Sequence, residues 1–255
     1  CIMRVKAPEF TVKLAETEAE LRAAQRLRYD VFVRELGAGG AFVEHAEGLE
    51  RDRFDAFADH LIITRPGSDA VLGVYRLLRS DGAAAAGGYY SEGEYDLEVL
   101  KTSGRPLLEL GRSCLHVDAR GGTAMHHLWQ GLAAYVAQHR IEVLFGVASF
   151  HGTDIGALAE PLSMLHHRHL APPALRTRAR GDTVQRMDLI PPEAIDRRRA
   201  MVAVPSLIKA YLRLGGVVGE GAFIDHDFNT TDVCLVMDTA QMTAQQARRY
   251  GSARG

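Results

Sequence analysis

Between His60 and Phe150 the chain runs through apolar segments in an order that narrows the fold sharply. His60–Thr64 and Val71–Leu78 read as strands, separated by the turn residues Pro66, Gly67, Ser68 and Asp69. Leu107–Val117 is a third strand. Gly121 and Gly122 then open a long helical stretch, from about Thr123 to His139, and Val143–Phe150 follows as a buried strand. Strand, strand, strand, helix, strand predicts a mixed α/β sheet.

The flanks add to this frame. Phe10–Leu14 alternates apolar and polar, as a half-buried strand does. Thr17-x-x-Glu20 is a capping box, and Leu21, Ala24, Leu27, Arg28 and Val31 share one face of the helix it starts. A glycine-rich break at Gly37, Gly39 and Gly40 leads into an acidic stretch with Glu47, Glu50, Asp52, Asp55 and Asp59. Ser80–Gly88 is rich in Ala and Gly and predicts a mobile loop; Tyr95–Lys101 predicts a short helix. After Gly152 the pattern weakens. Helices are expected at Pro192–Met201 and Ser206–Leu214, and a closing strand at Val233–Met237.

With 255 residues and 47% hydrophobic content, the chain can bury a full core as one large domain or one domain with an extension. A net charge of −2 argues against a nucleic-acid role. Three cysteines, Cys1, Cys114 and Cys234, make no disulfide framework and fit a reducing cytoplasm. No apolar run is long enough to span a membrane, and Cys1–Phe10 has no signal-peptide character.

Glu109-Leu110-Gly111-Arg112-Ser113-Cys114 places a carboxylate and a guanidinium on an otherwise apolar strand, where buried charge is costly unless paired or used. In a flat strand Glu109 and Arg112 face opposite ways, and Gly111 is the place for a bulge that re-aims one of them. Two readings of Glu109 stay open. It is a general base for an attacking amine, its pKa raised by partial burial, or it forms a structural salt bridge with Arg28 or Arg76.

Asp118 to Ala124, with Arg120, Gly121 and Gly122, is either an anion site suited to a pantetheine phosphate or an ordinary strand–helix turn. Arg28 and Phe32 lie one turn apart. Asp52 and Asp55 are suited to a substrate ammonium, and Arg28 or Arg76 to its carboxylate; the alternative is a solvated loop and a helix cap. Cys114 and His116 share a strand face but lack a third orienting group, so Cys114 reads as structural. The histidines at 126, 127, 166, 167 and 169 match no zinc pattern, and no metal is expected. Arg176, Arg178, Arg180, Arg186 and Arg197–Arg199 are either solvated or a dock for an acidic carrier protein or anionic headgroups.

Taken in order, Arg28-x-x-x-Phe32, Asp52-x-Phe54-Asp55, Gly73-x-Tyr75-Arg76-Leu77-Leu78 and Glu109-Leu110-Gly111-Arg112 resemble the acyl-homoserine-lactone synthases. These are GNAT-like enzymes that use acyl carrier protein thioesters. The chain is more fully similar to a sister family, the ornithine N-acyltransferases of ornithine-lipid synthesis. That similarity rests on Asp59-His60-Leu61, Tyr90-Ser91, Glu109–Cys114, Arg120-Gly121-Gly122, Leu128-Trp129, Phe145-Gly146, Ser149-Phe150 and Ile224-Asp225 with Phe228-x-Thr230-Thr231-Asp232. It runs from about residue 12 to residue 240. Lactone synthases carry a tryptophan soon after Arg-x-x-x-Phe; here the only tryptophan is Trp129, and the chain also has a C-terminal extension. Both departures argue against lactone synthesis. In the usual phosphate loop Gly122 and Ala124 fit but Ala119 takes the basic position, which suits a donor other than free coenzyme A.

The resemblance implies a GNAT-like mixed central sheet flanked by helices over residues 10–180, with a C-terminal helical extension at 181–245. It implies transfer of a 3-hydroxy fatty acyl group from acyl carrier protein to the α-amine of ornithine, with no further cofactor. Glu109 and Arg112 are the implied catalytic pair, and Arg28, Phe32, Asp52, Asp55, His60, Arg76, Ser113 and Ser149 the substrate-binding set. Leu115, His116, Val117, Arg120, Gly121, Gly122 and Phe150 would hold the acyl donor, with N–H groups near Leu115 and His116 as the oxyanion hole. The implied partners are acyl carrier protein, the amino acid and the inner face of the cytoplasmic membrane. Rival readings are the same chemistry on glutamine or glycine, a lactone synthase using S-adenosylmethionine, and a non-catalytic acyl-carrier-binding protein.

Overall fold

The computed structural model describes residues 9–242; Cys1 and residues 243–245 of the expected extension lie outside them. In chain order the main elements are β1 (Thr11–Leu14), α1 (Glu18–Arg28), β2 (Asp59–Thr64), β3 (Gly73–Arg79), α2 (Ser80–Ala86), α3 (Glu98–Lys101), β4 (Leu107–Leu115), α4 (Ala124–His139), β5 (Val143–His151), α5 (Ile155–His169), β6 (Val184–Gln185), α6 (Arg197–Ala203), α7 (Ser206–Arg213), β7 (Val217–Val218), β8 (Ala222–Asp225) and β9 (Thr230–Asp238). They group into two compact units. One holds the residues up to Leu77 with Arg112–His139; the other holds Leu78–Gly111 and the residues from Arg140 on.

In the first unit β1 pairs antiparallel with β2, and β2 with β3. Thr17 caps α1 as its sequence predicts: its hydroxyl accepts from Glu20 N, and the Glu20 carboxylate accepts from Thr17 N. Ala24 and Leu27 of α1 and Val31 just beyond it pack with Ile62, Val74 and Cys114 into an apolar core. Past Arg28 the helix continues as a π-helix, Tyr29–Glu35, a form often found at functional sites. The helix α4 lies against β1 and β2. Gly131 permits this approach, because a Cβ there would stand 2.7 Å from Val12 Cγ1.

In the second unit β4 and β5 run parallel, from Leu107↔Val143 to Glu109↔Phe145. Along its whole length β5 pairs antiparallel with β9, from Thr230↔His151 to Asp238↔Val143. Next to β9 come β8 and then β6, with β7 also on β9. Parallel and antiparallel pairs flanked by helices make the expected mixed α/β sheet. Among the described residues no helix is long and apolar enough to cross a membrane.

Three local expectations need correction. Ser80–Gly88 is not a loop: its alanines form α2, and Gly87 ends it at φ 85°. Tyr95–Lys101 divides into a short strand, Tyr95–Asp96, and α3. The weak pattern after Gly152 conceals the 15-residue α5, whose interior Pro161 and four closing basic residues blur the helical period.

Candidate active site

Each unit holds a group of buried charged side chains. In the first unit, Arg28 closes α1 almost fully buried, 1% exposed, so its charge needs partners. Its Nε donates to Glu50 and its Nη1 to Asp55, at 2.9 Å. Arg76, on β3, donates through Nη1 to Asp52 at 2.6 Å and to Asp55 at 2.9 Å. Arg112, on β4, donates to Glu50 at 2.9 Å and to Asp52 at 3.3 Å. Gln25 Nε2 adds a bond to Asp55, and the His60 ring nitrogen Nε2 meets the Asp55 carbonyl at 2.9 Å.

Burial by itself would raise the carboxylates. The guanidinium groups outweigh it: Arg28 and Arg76 hold Asp55 far below the usual range, Arg76 and Arg112 lower Asp52, and Arg112 and Arg28 lower Glu50. Burial lowers His60, which favours the neutral ring. Three arginines thus face three carboxylates, and their charges cancel.

This arrangement corrects two expectations. The side chains of Asp52 and Asp55 are not in a solvated loop; they are buried at 1% and 5% exposure. Arg28 is bound by Glu50 and Asp55 rather than by Glu109, which removes one of the two expected salt-bridge partners. Glu50 was not expected to stand out from its acidic neighbours, yet it joins Arg28 to Arg112. The break in strand geometry falls at Arg112 itself, with φ 52°, and not at Gly111. A non-glycine residue persists there at a cost of about 1–3 kcal/mol when its surroundings fix it, as the two ion pairs do.

In the second unit Glu109 is buried at 4% exposure. Its two carboxylate oxygens accept from the backbone N–H groups of Tyr90, at 3.1 Å, and Ser91, at 2.8 Å. These amides open a 3₁₀ turn, Tyr90–Gly93. Glu109 also marks the end of the β4–β5 pairing, although β5 runs on to His151. Gly146 begins that stretch. A Cβ there would lie 2.2 Å from the Leu110 carbonyl oxygen, so no side chain fits at this crossing.

The same unit holds a second acidic group, of which the sequence singles out Asp225 and Asp232, within a motif, but not Glu94. Carboxylate oxygens of Glu94, Asp225 and Asp232 lie within 4.8 Å of one another. Asp232 accepts from Ser149 Oγ at 2.6 Å and from Thr230 Oγ1 at 2.8 Å.

Of the residues expected to hold the donor, His116 donates its N–H to the Leu72 carbonyl at 2.7 Å and so is not an oxyanion donor. Arg120 is tied to Glu35 at 2.8 Å and to the Leu115 carbonyl, which leaves it engaged rather than poised for a phosphate. Gly121 stands at φ 76°, and both Gly121 and Gly122 border open space before α4. A carboxylate already stands at this helix start, where Glu9 accepts from Thr123 Oγ1 at 2.8 Å. Val117 is exposed, Phe150 belongs to the core of the second unit, and Phe32 packs against that of the first. Ser113 Oγ is buried without a hydrogen-bond partner among the described residues.

Residues 27–130 match the model of the acetyltransferase (GNAT) domain. Over 246 residues the sequence is 58% identical to L-ornithine N(alpha)-acyltransferase of Rhodobacter capsulatus, covering 94% of each chain. The chain belongs to the L-ornithine N(alpha)-acyltransferase family. The member from Brucella abortus is 43% identical over 249 residues, 94% of this chain and 88% of that one. Among solved structures, an N-acyl amino acid synthase from uncultured soil microbes superposes with a TM-score of 0.53 at 12% identity, over 95% of this chain and 97% of that one. A coenzyme A-dependent acyl-homoserine lactone synthase gives 0.50 at 14% identity, over 94% and 95%. With the match to the GNAT domain, these structural likenesses show a GNAT-like fold.

Proposed function

We propose that the chain forms an amide between a 3-hydroxy fatty acyl group, delivered as the thioester of acyl carrier protein, and the α-amine of ornithine. The observation that carries this reading is the 58% identity, over nearly the whole chain, to a protein named as an acyltransferase to the α-nitrogen of L-ornithine. An ammonium must lose a proton before its nitrogen attacks, and Glu109 takes that proton directly or through one water. The nitrogen then adds to the thioester carbonyl, the C–S bond breaks, and the carrier thiol leaves with a proton. The two backbone donors keep the Glu109 oxygens fixed. Arg112 is held by ion pairs to Glu50 and Asp52 within the first unit, which gives it a structural role.

The donor lies along β5 past Phe145, where pairing to β4 has ended and Ser149 and Phe150 follow. Carrier protein is favoured over free coenzyme A because Arg120 is engaged by Glu35 and Leu115. Of the basic clusters, Arg199 pairs with Glu160, Arg186 with Asp188 and Arg178 with Glu220. Arg197 and Arg198 are exposed without an ion pair among the described residues, which makes them the docking candidates for an acidic carrier. The product is a lipid, so peripheral contact with the inner membrane face belongs to the same reading.

Mass spectrometry of products tests it, after the protein is mixed with 3-hydroxyacyl carrier protein, the common amino acids, ornithine and S-adenosylmethionine. The expected product is Nα-(3-hydroxyacyl)ornithine. An acyl lactone, or no product with a competent donor, contradicts the reading.

A further inference from the structure

Strand pairing in the second unit fixes which side chains share a face with Glu109. Glu109 pairs with Phe145, and Phe145 with Val236; paired residues point the same way. Two residues back along β5 stands Val143, paired with Leu107 on one side and Asp238 on the other. Side chains alternate along a strand, so Val143 and Asp238 lie on the Glu109 face as well.

A cavity of about 840 Å³ opens on that face. The long strands give it Val143, Val236 and Asp238, which are alternate positions of one face. Val99 and Leu100 of α3 and Leu175 of the 3₁₀ turn Pro173–Leu175 form the facing wall. Its size is within the range of about 300–1,000 Å³ usual for small-molecule sites. The polar groups along it are occupied. Arg105 Nη1 pairs with Asp238 at 3.0 Å and its Nε with Glu142 at 3.2 Å, and the Ser103 hydroxyl donates to the Leu100 carbonyl at 2.6 Å. Gln241, the other polar side chain at the cavity, is exposed. What the wall offers an entering molecule is apolar surface, which suits a chain of methylenes.

We infer that this cavity holds the hydrocarbon tail of the donor's acyl group, and that Val99 and Leu175 limit the chain length it accepts. The inference rests on the function proposed above and names the part of the donor bound there. In that reading the carrier arm lies along β5 from Phe150 towards Phe145, the residue paired with Glu109. Continued in the same direction, the acyl group passes the row of Glu109, Phe145 and Val236 and comes to Val143, two residues or about 7 Å further on. Val236 belongs both to that row and to the cavity lining. Carrier arm and acyl tail thus leave the thioester in opposite directions along one strand.

The test measures kcat/KM with ornithine for 3-hydroxyacyl carrier proteins of stepwise increasing chain length, on the full chain and on Val99→Phe and Leu175→Trp. Both positions are half-buried, and the larger rings take up cavity space. The variants are expected to prefer shorter chains than the wild type. Their kcat/KM for longer donors should fall about fourfold for each methylene shut out, with the shortest donor affected least. A wild-type length preference in both folded variants, or an equal loss at every length, overturns the inference and leaves the proposed function standing. Failure of the wild type to acylate ornithine from any of these donors overturns the proposed function itself. Should either variant fail to fold, the wild type still decides. A donor with a photoreactive diazirine at the end of its acyl chain should crosslink to the cavity lining, within residues 98–105 or 172–175. Labelling confined to residues outside the lining overturns the inference.

Discussion

The ion network of the first unit and the carboxylates of the second treat buried charge in different ways. Around Arg28, each carboxylate is matched by a guanidinium: Glu50 by Arg28 and Arg112, Asp52 by Arg76 and Arg112, Asp55 by Arg28 and Arg76. In the second unit, backbone amides and hydroxyls orient the carboxylates: the Tyr90 and Ser91 N–H groups donate to Glu109, and the Ser149 and Thr230 hydroxyls to Asp232. Charges cancelled by fixed partners serve to hold elements in place. N–H and O–H donors orient a carboxylate without themselves carrying a countercharge.

The largest expected effect breaks the first region. Asp55→Asn leaves Arg28 and Arg76 facing an uncharged amide in a buried setting, and should cost about 3–5 kcal/mol in urea unfolding. Acid should act on the same network. Glu50, Asp52 and Asp55 are all held below their ordinary values, so the unfolded chain takes up protons before the native one does. Their contribution is complete above about pH 4 and is lost as pH falls through the depressed values, which a series of unfolding curves between pH 7 and pH 2 would register. A smaller effect belongs to the strand crossing beside Glu109. Gly146→Ala forces a methyl group against the Leu110 carbonyl and should destabilise by about 1–3 kcal/mol, with acyl transfer falling as β5 shifts. Smallest is Asp232→Asn, where the Ser149 and Thr230 hydroxyls keep an acceptor oxygen; a stability change of about 1 kcal/mol is expected. Equal losses for Asp55→Asn and Asp232→Asn in the urea curves would erase the distinction between the regions.

Much of this architecture is legible in the sequence. The capping box at Thr17, the strands β2, β3, β4 and β5 and the helix α4 follow from periodic apolar spacing and turn residues. The helix α5 is concealed because Pro161 and its closing histidines dilute the period, and β6 and β7 are only two residues long, too short to have one. In the site, Arg28, Arg76, Glu109 and Arg112 stand out as charges within apolar runs. Glu50 and Glu94 do not, because each sits among polar neighbours and becomes buried only through long-range packing. The amides of Tyr90 and Ser91 leave no trace in residue type at all: their role comes from the start of a 3₁₀ turn, which is backbone geometry.

The most direct measurement is the pH dependence of kcat/KM for acyl transfer to ornithine by Glu109→Gln, alongside its unfolding midpoint. Glutamine keeps an acceptor for one of the two backbone donors but cannot take a proton. A loss of at least about 100-fold across the pH range, in a protein that unfolds close to the wild-type midpoint, is the predicted result. Full activity at every pH would contradict the assignment of Glu109 as the base.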